Sequence, residues 1–64
     1  MININKEALE EALFVIASIV ERCENAQTKF REGTSQHTLL KNRIRALYLS
    51  KELVETELLR MGEQ

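Results

Sequence analysis

The chain has 64 residues, 44% of them apolar and 30% charged, with nine lysines and arginines against ten acidic residues for a net charge of -1. That length is at the low end of what folds alone, where disulfides, metal or oligomerisation supplement a thin core. A single cysteine, Cys23, and a single histidine, His37, exclude an intramolecular disulfide and a complete structural zinc site, and the charge balance excludes a global pull toward nucleic acid or anionic membrane.

The first residues, Met1-Ile2-Asn3-Ile4-Asn5-Lys6-Glu7, carry no basic leader and no small-residue cleavage site. The longest apolar stretch, residues 12–20, is broken by Ser18 and falls short of the roughly 18 residues a membrane span needs. A soluble cytoplasmic protein with no membrane partner is the expectation, and a free cysteine agrees with a reducing compartment. Asn5, or alternatively Asn3, caps a first helix that opens with the strong helix formers of residues 6–13 and runs over about residues 6–32. Val15, Ile16, Ile19 and Val20 are β-branched, but the apolar positions continue at helical spacing on both sides, so the period is that of a helix.

Gly33-Thr34-Ser35 is the one composition break, and the chain has no proline. Gly33 supplies a left-handed residue to end the first helix, and Thr34 or Ser35 caps the second by accepting from its first free amides. The turn is placed at about residues 33–34 and the second helix at about 35–61, which makes residues 1–64 a single helical-hairpin domain.

The register of the hairpin can be read from spacing. Leu9, Leu13, Ile16, Val20, Cys23, Gln27 and Phe30 step alternately by four and three, as do His37, Leu40, Ile44, Leu47, Lys51, Val54 and Leu58. Paired from opposite ends, from Leu9 with Leu58 to Phe30 with His37, every pair of numbers sums to 67. Two helices folded back about residues 33 and 34 bring each pair into one layer. The fold class is therefore all-α, an antiparallel two-helix hairpin.

A second apolar stripe runs beside this seam. Ala8, Ala12, Val15, Ile19 and Ala26 form it on the first helix, and Leu39, Ala46 and Leu53 on the second. Both are displaced in the same rotational sense, so in antiparallel helices they share one side of the hairpin, whereas the other side offers mainly Ala17, Tyr48 and Leu59. A face of this kind marks an association surface, and the economical way to bury it is a two-fold homodimer that completes a four-helix bundle. Residues 20–46 carry a net +3 and the remainder a net -4, which favours stacking with turns at opposite ends.

Single residues suggest narrower roles. His37 lies opposite Phe30 with no second ligand or nucleophile in its layer, and reads as a helix-start residue covering that ring. Cys23, opposite Ile44, reads as a buried inert thiol despite neighbouring Arg22. Lys51 faces Ile16 in the seam and is expected to run along its helix toward Glu55, the alternative being that it specifies register as a polar seam residue. Lys41, Arg43 and Arg45, with Lys29 and Arg31 across the turn, form the candidate nucleic-acid contact, though three glutamates are interleaved with them and no base-stacking aromatic surface accompanies them. Phe14 and Leu49 face away from seam and stripe, and are candidates for docking a further partner.

The plan of a hairpin dimerising into a bundle, with Phe14 facing outward, resembles the Rop-type plasmid copy-control proteins. That resemblance implies RNA binding, but here Glu7, Glu10, Glu11 and Glu21 surround the phenyl ring. Residues 33–47, Gly33-Thr34-Ser35-Gln36-His37-Thr38-Leu39-Leu40-Lys41-Asn42-Arg43-Ile44-Arg45-Ala46-Leu47, are also similar to short uncharacterised helical-hairpin proteins of Gram-positive bacteria, which implies a bacterial cytoplasmic setting. The seam has no paired carboxylates, and no nucleophile with a base, glycine-rich phosphate loop or metal set appears. The expectation is a non-enzymatic module without cofactor or metal, a homodimer that binds an unidentified protein; a small RNA- or DNA-binding regulator is the alternative.

Overall fold

A computed structural model describes residues 4–62, as two helices: α1, Lys6–Gln27, and α2, Ser35–Gly62. They pack antiparallel as a hairpin, with no strand among the described residues. At about 1.5 Å per residue they are ~33 and ~42 Å long, and the molecule measures 47 × 20 × 15 Å. No helix among the described residues is long and apolar enough to cross a membrane.

Asn5 begins α1, its extended backbone placing the side-chain carbonyl to accept from the Ala8 amide at 2.8 Å. The alternative cap, Asn3, lies outside the described residues. α1 stops at Gln27, five residues before the expected end. The Thr28 hydroxyl donates to the Asn25 carbonyl at 2.7 Å, and the amides of Lys29 and Phe30 tighten onto Ala26 and Gln27. A β-branched residue that satisfies a helical carbonyl with its own hydroxyl weakens the case for another turn of helix. Phe30 thus falls in the connection and is exposed, so the expected layer of Phe30 with His37 is not closed.

Gly33 ends the connection rather than α1. The Thr34 amide donates to the Arg31 carbonyl at 3.2 Å, closing a β-turn whose third residue, Gly33, has φ +89°. That position favours glycine because a side chain at positive φ is strained. Thr34 then caps α2: its hydroxyl oxygen accepts from the His37 amide at 3.2 Å and donates to Arg31 at 2.8 Å.

Between the helices the seam behaves as its spacing predicts. Val20 is the one buried side chain among the described residues, 5% exposed, and the other seam positions except Phe30 are half-buried. Cross-helix neighbours straddle the expected mates. Leu13, expected opposite Val54, borders Leu58; Val20, expected opposite Leu47, borders Tyr48 and Lys51; Gln27, expected opposite Leu40, donates to the His37 carbonyl. Each of these neighbours lies within about one helical turn of the expected mate.

Candidate functional site

The seam divides the surface into two sides of different chemistry. With about 100° between successive residues, Ala12, Ile19 and Ala26 of α1 flank the seam on the same side as Arg43, Ser50 and Glu57 of α2, with Ala8, Val15, Leu39, Ala46 and Leu53 further out. On this alanine side Ala8, Ala12 and Ala26 are half-buried, whereas Val15, Ile19, Leu39, Ala46 and Leu53 stay exposed. The charges of this side stand along the α2 edge and at Arg22; among them the Arg60 guanidinium pairs with Glu57 in the one ion pair among the described residues. That donation holds the Glu57 carboxyl below the usual carboxylate range and the guanidinium above its own.

The opposite side is deeper and acidic. Ala17, Val20, Glu21, Glu24, Tyr48 and Lys51 line a cleft of about 300 Å³, across which the Tyr48 hydroxyl donates to Glu24 at 3.3 Å. The charge of Glu24 holds the phenol above its ordinary range, with partial desolvation and the hydrogen bond adding to the effect. Lys51 is half-buried there, beside Glu21 and Glu24 rather than paired with Glu55 as its sequence spacing suggested. A seam lysine must bring its ammonium to water, and the Tyr48 side is the edge with carboxylates on both helices. Toward the chain ends, Leu13, Glu55, Leu58 and Leu59 line a second cleft of about 360 Å³.

The basic candidates do not share one surface. Lys41 and Arg45 are one helical turn apart on the Tyr48 side, whereas Arg43, about 200° from Lys41, is on the alanine side. Lys29 and Arg31 are exposed in the connection, where Glu32 joins Lys41, Gln27, Gly33, His37 and Thr38 around an open recess of about 520 Å³. His37 is half-buried, and its backbone is engaged in capping and in the bond from Gln27. Cys23 is half-buried in the seam as a free thiol. No cluster of three metal-ligating side chains occurs among the described residues.

Phe14 and Leu49 are both exposed, but they are not neighbours: Phe14 flanks the Tyr48 side and Leu49 is on the back of α2. The residue that shares Phe14's side is Leu59, also exposed, and sequence reasoning passed over it as a docking candidate. The signal was available, since Leu59 follows seam residue Leu58 as Phe14 follows Leu13. The Tyr48 to Glu24 bond was equally recoverable, as both residues flank the seam on one side.

Fold and surfaces together define an α-helical hairpin with two apolar faces, one flat and alanine-rich, the other cleft and acid-rimmed. Compared with protein-family models, with curated proteins and with solved structures, the chain has no match.

Proposed function

We propose that the chain is a non-enzymatic interaction module that works as a homodimer, with the alanine sides of two hairpins forming a four-helix bundle. The observation that carries this reading is the exposure of Val15, Ile19, Leu39 and Leu53 beside a seam that buries a single side chain. Area supports it. A globular monomer of 7.4 kDa exposes about 4,200 Å², and this hairpin exposes 5453 Å². The excess is of the order that each partner buries in a stable dimer, about 800 Å² or more. Alanines at half-buried positions let a second pair of helices approach closely, and the unequal charge of the two ends favours turns at opposite ends.

Nucleic-acid binding is the second reading, drawn from the turn-end cations. It has less support, because Lys41 and Arg45 are separated from Arg43 by the width of α2, and Glu32 stands among them.

Thermal unfolding at several protein concentrations tests the dimer. If folding and association are coupled, a hundred-fold increase in concentration is worth about 2.7 kcal/mol and raises the midpoint by roughly 10 °C. A midpoint independent of concentration over that range would refute it.

A further inference from the structure

A dimer joined through the alanine sides leaves the Tyr48 side open on both hairpins, and that side holds the most exposed ring of the molecule. Leu59, 70% exposed, lines the cleft with Leu13, Leu58 and Glu55, and Phe14, 74% exposed, follows Leu13 on α1 as Leu59 follows Leu58 on α2, which by rotation puts it on the same side. Glu55 lines this cleft, and Glu10 is its counterpart on α1 by the same spacing that relates Ala17 to Tyr48, which share the neighbouring cleft. Glu7 and Glu52 extend the acidic rim, whereas Lys41 and Arg45 of this side lie toward the turn. Lys51 reaches this half at its inner end and Lys6, one turn before Glu10, stands at its outer end; against Glu7, Glu10, Glu52 and Glu55 these two leave the rim a net charge of -2.

From these features we propose that the acid-rimmed cleft is a docking site for a basic amphipathic helix of a partner protein. This deepens the interaction-module reading and rests on it in one respect, that the dimer occupies the other side. The trench between two antiparallel helices receives the ridge of a third, whose leucine or phenylalanine anchors enter between Leu13 and Leu58. Lysines or arginines flanking those anchors meet Glu10, Glu55 and Glu52, carboxylates that have no cation within ion-pair distance among the described residues. The same carboxylates repel the phosphates of nucleic acids and of anionic lipids, which leaves a basic peptide as the occupant.

The probe is a labelled peptide of about 18 residues, long enough as a helix to cover ~27 Å, built from lysine with leucines on one helical stripe. A control peptide carries glutamate in place of lysine. Anisotropy titrations use the full chain at about 0.05 and 0.3 M salt, since exposed charge attraction is screened over that range. The lysine peptide is expected to bind, more weakly at the higher salt, and the glutamate peptide to bind at least ~10-fold more weakly. Phe14→Ser and Leu59→Ser should each weaken the lysine peptide by roughly ten-fold, while Leu49→Ser, on the back of α2, leaves it unchanged. Failure of the lysine peptide to bind, equal binding of both peptides, or indifference to Phe14→Ser and Leu59→Ser overturns the proposal while the dimer stands. Sedimentation of the same samples separates the two readings. Binding by a monomeric parent supports the cleft and removes the dimer, whereas dissociation of the dimer by Leu59→Ser reassigns this face to self-association and overturns both.

Discussion

A glutamate in place of Ile19 sets the isolated hairpin and the dimer furthest apart. In a lone hairpin Ile19 is already 37% exposed, so losing its remaining burial costs about 1–2 kcal/mol, an ordinary surface-edge substitution. In the dimer the same residue belongs to a covered face. Exposed fractions of 47, 37, 51 and 64% for Val15, Ile19, Leu39 and Leu53 amount to about two whole aliphatic side chains per protomer. Their burial contributes about 3–6 kcal/mol per protomer before the entropy of association is subtracted. A carboxylate in that face appears twice by symmetry and costs several kcal/mol per ion to desolvate, which offsets the whole of this gain. Ile19→Glu is therefore expected to be a largely unfolded monomer, and Phe14→Glu, on the opposite side, a helical dimer. Sedimentation velocity at micromolar concentration with far-ultraviolet circular dichroism reads both. An Ile19→Glu variant that assembles like the parent would show that this face has another use.

The chain has one tyrosine and no tryptophan, so absorbance near the tyrosinate band reports Tyr48 alone. Its titration should lie above the ordinary range, and Glu24→Gln should lower it, because ionisation puts a phenolate beside a carboxylate on the other helix. As the folded value is raised, this contact contributes stability below the unfolded pKa and loses it as pH rises through the folded one; a titration unmoved by Glu24→Gln would separate the two residues. Gly33→Ala meets open space yet must hold φ +89°, and should destabilise by about 1 kcal/mol in chemical unfolding, with no loss pointing to a different turn. Thr34→Ala removes the cap of α2 and should cost about 1 kcal/mol by the same measurement, an unchanged midpoint showing that the amide of His37 finds another partner. No defined RNA is expected to be retained at about 0.15 M salt, where weak non-specific phosphate contacts fade; a tight complex lost on changing Arg43 and Arg45 to glutamate would reverse the order of the two functional readings.

Helix type and the antiparallel pairing were legible because a seam of alternating fours and threes runs along both halves of the chain, and Asn5 and Thr34 are residues whose side chains satisfy free amides. The end of α1 was not legible. Residues 28–32, Thr-Lys-Phe-Arg-Glu, contain no glycine or proline, and the helix stops there through a hydroxyl that bonds back to Asn25, a competition that spacing does not reveal. The flat side followed from angular position alone. The acid-rimmed cleft did not, since Phe14 and Leu59 lie 45 positions apart and become a pair only once α2 folds back. Adjacency in sequence also misled: Lys41, Arg43 and Arg45 read as a cluster along the chain, but a helix rotates Arg43 to the far side.

Sedimentation equilibrium of the unmodified chain tests the homodimer most directly, because the role of the alanine side depends on a second copy covering it. A homodimer gives a mass of twice 7.4 kDa at micromolar concentration, which is the expected result. A well-folded particle of 7.4 kDa at the same concentration would contradict it.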